Sequence, residues 1–242
     1  MSRITGRRVR LAAAAVAALS IALVGCSAQP ASTDADGGSL VYLDAEIPTS
    51  AQVQESGTWQ TRALQQNITD RLLYRNPDTN QLEPWIAESW TVSPDGLTYT
   101  FVIRDGVTYS DGTDLDASSV AKNLEWQSAG DEAVGTTPNA QFPSGLAATA
   151  DDASRTVTVT LPEPYAPFLN VLTGWGSGLV ADATIDASKE DQSKFVNLIG
   201  SGPFVVTSET YGKEIVLERR DGYAWAPELS LIHISEPTRL GM

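Results

Sequence analysis

Ile86-Ala-Glu-Ser-Trp-Thr-Val-Ser-Pro-Asp-Gly-Leu-Thr-Tyr-Thr-Phe-Val-Ile-Arg-Asp-Gly-Val-Thr-Tyr-Ser-Asp-Gly-Thr113 is the most regular stretch of a chain of 242 residues. From Leu97 to Ile103 apolar and polar side chains alternate, the two-residue period of a strand with one buried face. Ser93-Pro94-Asp95-Gly96 places proline for a type I turn before this strand, and Arg104-Asp105-Gly106 makes a second turn after it. Val107–Ser110 can then return antiparallel, so the pattern predicts a β-hairpin. Asp95-Gly96, Asp105-Gly106 and Asp111-Gly112 read as turn dipeptides whose glycine tolerates positive φ, not as catalytic acids. Trp90, Tyr99, Phe101 and, further on, Trp126 are expected in the core.

Outward from this stretch, helices and strands mix. Asp116 can accept from the free amides of a helix carrying Val120, Leu124 and Trp126 on one face. A loop rich in Gly, Pro and Asn spans roughly 129–144. Leu146–Ala150, the turn Asp151–Ser154 and Thr156–Leu161 form a second hairpin, which Pro162-Glu-Pro164 stops. Tyr165–Leu172 reads as a short helix. Gly178–Val180, Phe204–Thr207 and Glu214–Arg219 are strand candidates. Upstream, Ser39–Leu43 is expected as a buried first strand and Asp44–Pro48 as a loop. Leu64, Ile68 and Leu72 recur at helical spacing between Gln60 and Leu73. Asn76–Asn80 is a turn cluster. The fold class is α/β with a mixed sheet.

The two ends differ from this body. Arg3, Arg7, Arg8 and Arg10 precede an apolar run from Leu11 to Val24, shorter than the roughly 20 residues that a permanent span needs. Residues 1–25 therefore read as a signal peptide. The run closes in Leu23-Val24-Gly25-Cys26, similar to a bacterial lipobox, which assigns lipidation to Cys26. Residues 26–38 are small and polar and make a flexible tether. At the other end, Leu229 to Arg239 reads as the in-frame translation of a transposon-type sequencing adapter. On that reading 229–242 is a non-native tail, and the natural protein continues differently after Glu228.

Composition narrows the chemistry. Removing residues 1–25 takes away four arginines and no acid, moving the formal charge from −14 to −18. Such a surface repels phosphate backbones, so nucleic acid is not an expected partner. Cys26 is the sole cysteine and His233, in the suspect tail, the sole histidine. Residues 39–228 thus lack the side chains for Ser-His-Asp or Cys-His nucleophilic systems and for most zinc sites, and no metal or cofactor is expected. No EF-hand spacing appears.

With these residues in view, Ile86–Thr113 resembles the signature of the extracellular solute-binding proteins, family 5, the peptide-, dipeptide- and nickel-binding receptors of ABC importers. Leu161-Pro-Glu-Pro-Tyr-Ala-Pro-Phe-Leu169, Gly200-Ser-Gly-Pro-Phe204 and Val216-Leu-Glu-Arg-Arg-Asp-Gly-Tyr223 are similar to the family in the same order. The resemblance covers essentially all of 39–228. It implies a periplasmic-binding-protein-like fold of type II, with only the first lobe present and a β-rich subdomain at roughly 58–165. Family members are about twice this long and close two lobes around a ligand by hinge motion.

The function so implied is the substrate-binding component of an ABC importer, capturing small peptides or related solutes outside the membrane for a permease. It is not an enzyme. The protein would be extracytoplasmic and lipid-anchored, at the periplasmic side or the cell surface. Glu46 and Ile47 after the first strand, Trp175 and Gly176 in Thr-Gly-Trp-Gly, and Tyr223 are the ligand-contact candidates. Glu46 suits a cationic group such as a peptide amine, and Trp175 offers flat apolar contact. Two alternatives remain open from the residues themselves. One is a secreted lipoprotein hydrolase using paired carboxylates; the other is a structural cell-envelope lipoprotein.

Overall fold

In the computed structural model, which describes residues 38–55 and 57–227, a single-turn helix at Val53–Glu55 leads to α1 (Trp59–Ile68). The Thr58 side chain accepts from the Thr61 amide and starts α1, satisfying one of its free donors. The expected helix to Leu73 stops five residues early. Thr69 turns extended, at φ −124° and ψ 141°, and its hydroxyl donates to the Gln65 carbonyl at 2.8 Å. Leu72 and Leu73 are released from helical spacing and buried in the core. Two short strands follow, β1 (Leu73–Arg75) and β2 (Leu82–Pro84), paired antiparallel around the Asn76–Asn80 turn.

The main sheet contains β3 (Ala87–Val92), β4 (Thr98–Ile103), β5 (Ala147–Asp151) and β6 (Thr156–Thr160), in the order β3-β4-β6-β5. Tyr99, Phe101 and Ile103 bury the alternate face expected of β4, with Val157 and Val159 beside them on β6. Tyr99 meets the Phe168 ring edge-on at 4.8 Å. Between β4 and β5, Asp116 caps α2 (Ala117–Ala129) by accepting from the Ser119 amide at 2.8 Å. Val120 and Leu124 of α2 enter the main core, whereas Trp126 enters a second cluster with Ile68, Val180 and Phe195. The helix is thus buried on two sides, not along one stripe. The remaining elements are α3 (Phe168–Val171), α4 (Asp182–Ile185), α5 (Lys189–Gln192), single-turn helices at Trp175–Ser177 and Phe195–Asn197, and the hairpin of β7 (Phe204–Thr210) with β8 (Glu214–Arg219).

Several expectations are corrected. The partner of β4 is not Val107–Ser110: β3 and β6 occupy both its edges. Residues 107–114 instead curl, with the Tyr109 amide donating to the Thr113 carbonyl and Tyr109 itself buried. Gly178–Val180 forms no strand, only one bridge from Val180 to Gly200. Ser39–Leu43 carries no strand: no described strand pairs with it, and unpaired apolar backbone has no ladder to join. Leu40 and Val41 are 91% and 80% exposed. Every strand pairing among the described residues is antiparallel. The main sheet lies inside the span 58–165. The signal peptide, Cys26, most of the tether and the tail 229–242 lie outside the described residues.

Glycines hold the second cluster close to α1. A Cβ on Gly200 would sit 2.1 Å from the Ile68 carbonyl oxygen, and one on Gly178 would sit 2.2 Å from Thr69 Oγ1. The role of Gly200-Ser-Gly202 is therefore close backbone approach.

Candidate functional site

The polypeptide before α1 is clamped from below. Gln65, fully buried on α1, donates from Nε2 to the carbonyls of Ala51 and Gln52 at 3.1 and 3.0 Å. This fixes Val53–Glu55, whose residues face the single-turn helix at Trp175–Ser177 and the loop 139–141. Between them lies a concavity of about 290 Å³ lined by Gln54, Glu55, Gly57, Asn139, Gln141 and Trp175, with Ala140.

Its walls differ in how their polar groups are used. Asn139 donates from Nδ2 to Gln127 Oε1 at 3.0 Å and to the Gly176 carbonyl at 2.9 Å, and its Oδ1 accepts from the Gln141 amide at 3.0 Å. That wall is rigid. Gly176 lies buried behind it, where a Cβ would come within 3.2 Å of Asn139 Nδ2. Trp175 is held on one side by Arg62 of α1, whose guanidinium carbon lies 3.5 Å from the ring centroid. Glu55 meets Lys189 at 3.5 Å. Gln54 is different: its Oε1 and Nε2 are both buried, and neither has a hydrogen-bond partner. A buried amide left so costs about 1–3 kcal/mol. Neither atom is exposed to the concavity as it stands, so a bound group carrying one donor and one acceptor would satisfy the amide once the Gln54 side chain turns toward it.

A larger concavity, about 460 Å³, lies by Thr108–Ser110 and Glu218–Asp221. Its central cation is already committed. Arg220 donates to the Thr108 carbonyl at 2.7 Å, to Thr108 Oγ1 at 2.6 Å and to the carbonyls of Tyr109 and Ser201. It reads as a structural junction.

The five candidate contacts fall in three places. Trp175 lines the smaller concavity and Gly176 backs it. Glu46 and Ile47 are exposed, with Ile47 Cδ1 3.5 Å from the position of a Cβ on Gly212 at the β7–β8 turn. Tyr223 is half-buried and gives its hydroxyl to Asp70 Oδ1 at 2.9 Å, while Trp225 Nε1 donates to Asp70 Oδ2 at 2.7 Å. Burial pushes the Asp70 carboxyl up to about 6, against the opposing pull of the Trp225, Tyr223 and Ser201 hydrogen bonds and the Arg71 charge. Burial also pushes Arg71 down to about 10 and raises the Tyr223 phenol, which stays protonated. Gln54, Glu55, Gly57, Asn139, Ala140 and Gln141 line the concavity and were missed by sequence reasoning, as was Arg62, which stacks on Trp175. The Gly-, Pro- and Asn-rich composition of 129–144 was the available signal, marking a loop without showing where it folds.

Among the described residues no group of three or more His, Cys, Asp or Glu side chains could hold a metal ion. No helix among them is long and apolar enough to cross a membrane.

A model described as bacterial extracellular solute-binding proteins, family 5 Middle, matches residues 81–236. The chain is 30% identical over 149 residues to the glutathione-binding protein GsiB of Escherichia coli K12, covering 62% of this chain and 28% of that protein. It is 32% identical over 142 residues to the probable D,D-dipeptide-binding periplasmic protein DdpA of the same strain, covering 57% and 27%. Among solved structures, a substrate binding protein from Microbacterium hydrocarbonoxydans complexed with 4-hydroxybenzoate hydrazide superposes with a TM-score of 0.62 at 29% identity, over 76% of this chain and 37% of that one. The periplasmic binding protein DppA from Helicobacter pylori, in complex with peptide STSA, superposes with a TM-score of 0.60 at 25% identity, over 75% and 38%. The aligned stretch thus spans 28% of GsiB's length.

Proposed function

Since the chain belongs to the bacterial extracellular solute-binding proteins, family 5, a family of binding proteins whose fold is the type II periplasmic-binding-protein kind, we propose that it forms part of a substrate-binding component of an ABC importer. It captures small peptides or related solutes outside the membrane and hands them to a permease. The observation that carries this reading is the buried, unpartnered amide of Gln54, a residue that lines one concavity with Trp175. A peptide group supplies both a carbonyl acceptor and an N–H donor, and the indole supplies a flat apolar wall. Trp175 is the direct contact and Gly176 the backing that lets Asn139 stand close. Glu46, Ile47 and Tyr223 do not line this concavity.

Binding without turnover also fits the lining, where Glu55 is the one acid and is neutralised by Lys189. A paired-carboxylate hydrolase needs two. The reading includes export by residues 1–25, a lipid on Cys26 and a tether to residue 38, which keep the receptor near its permease. Calorimetric titration of the full-length gene product with short peptides, nickel complexes and oligosaccharides tests it. Saturable heat with peptides is expected. No heat with any of the three overturns the receptor reading, and release of cleaved product supports the hydrolase.

A further inference from the structure

Arg62 covers one face of Trp175 with a full positive charge, its guanidinium carbon 3.5 Å from the ring centroid, yet it does not line the concavity that Trp175 borders. The cation therefore lies behind the indole, and a solute in the concavity meets the opposite face or the edge. Both partners are held in place. Arg62 stands on the first turn of α1, where its amide donates to the Thr58 carbonyl at 3.2 Å. Trp175 sits between two fixed residues. The Gly174 carbonyl accepts from Arg71 Nε at 3.2 Å and from Ser177 Oγ at 2.8 Å, and the Gly176 carbonyl accepts from Asn139 Nδ2 at 2.9 Å.

The lining supplies no charge to offset this cation. Glu55 is its one acid, and Lys189 stands 3.5 Å from that carboxylate while also donating from Nζ to the Gly135 carbonyl at 2.7 Å. Glu55, Lys189 and Arg62 together leave a net positive charge at the concavity. The chain as a whole carries a formal charge of −14, which draws cations. Locally the sign is reversed.

We propose that Arg62 is a specificity-determining residue: it makes the Trp175 wall accept a planar uncharged solute group, an amide or an aromatic ring, and reject a cationic one. The inference rests on the reading that solute meets Trp175. A bare indole face attracts cations because its π density is negative. Here that density is already drawn toward Arg62. A second cation on the open face would stand about 7 Å from the first, two stacking separations away. At that distance, with water screening part of the charge of half-buried Arg62, repulsion should weaken binding roughly five- to fiftyfold. A planar neutral group keeps its dispersion contact with the ring and meets no such repulsion.

Peptides that differ at a single lysine nitrogen test this. Gly-Lys-Gly and its Nε-acetyl form share stem and termini, but acetylation replaces the ammonium with a planar amide; the same pair is made with lysine first and with lysine last. Calorimetric titration of the full-length gene product gives each Kd. At one position the acetylated form should bind roughly five- to fiftyfold tighter, and that ratio should fall to within about twofold of unity in Arg62→Met and persist in Arg62→Lys. Loss of packing alone would weaken both forms and leave the ratio unmoved. Equal binding of both forms at every position in wild type, or an unchanged ratio in Arg62→Met, overturns the inference. Should Arg62→Met not fold, Arg62→Gln removes the charge and is read in the same way. Trp175→Ala separates this inference from the reading beneath it. If every Kd stays at its wild-type value in Trp175→Ala, or if no peptide binds wild type, the reading falls and the inference with it. If Trp175→Ala weakens binding while Arg62→Met leaves the ratio unchanged, the inference alone falls.

Discussion

Replacing Gln54 with leucine separates a ligand-directed amide from a packing residue, because the two roles predict opposite signs. The side chain keeps its approximate shape and loses both polar atoms. In this structure those atoms are buried with no partner. Removing them abolishes a desolvation penalty of about 1–3 kcal/mol. For a domain of this size each kcal/mol corresponds to about 2–4 °C in Tm, so Gln54→Leu should melt a few degrees above wild type. Ligand binding moves the other way. Two hydrogen bonds to a peptide group contribute about 0.5–1.5 kcal/mol each, or roughly five- to a hundredfold in Kd. Scanning calorimetry of the chain, with peptide titration of the full-length gene product, reads both. A variant that melts lower, or one that binds peptide as tightly as wild type, refutes the reasoning.

Gly200→Ala should destabilise by about 3 kcal/mol, the upper end of overpacking costs, since the added methyl would meet the Ile68 carbonyl oxygen at 2.1 Å and backbone cannot swing aside; urea unfolding measures it, and a loss below about 1 kcal/mol contradicts the close approach. Cys26→Ala should shift the protein from the membrane fraction to the soluble extracytoplasmic fraction with its ligand affinity unchanged; retention in the membrane fraction contradicts the lipid anchor. Reading the gene past the Glu228 codon should reveal a continuation unlike 229–242; those same codons followed by a natural stop contradict the adapter reading.

Local rules were legible where one residue decides the outcome. Asp116 reads as a cap because short acceptors serve free amides, and it caps α2. The alternation at Thr98–Ile103 and Thr156–Thr160 reads as strand, and both are strands. What alternation leaves open is the partner. The turn at Ser93–Gly96 and the one at Arg104–Gly106 compete to fold back on β4, and sheet order settles it with β6, more than fifty residues away, on the second edge. Helical spacing likewise ran through Leu72 because Leu72 is buried; only Thr69, bonding back to Gln65, ends the helix before it. The resemblance of Ile86–Thr113 to a family fixed the fold, since number, order and spacing of motifs survive such local errors. The concavity was illegible for a different reason. Gln54, Asn139 and Trp175 are brought together by Gln65, Gln127 and Gly176, whose roles depend on the finished packing.

The central claim is that the concavity at Gln54 and Trp175 receives the solute. A crystal structure of the full-length gene product with its tightest-binding short peptide tests it directly. The account predicts a peptide carbonyl and N–H within hydrogen-bond distance of Gln54 Nε2 and Oε1, with a peptide face against Trp175. A peptide bound elsewhere, with the Gln54 amide still unpartnered, would contradict it.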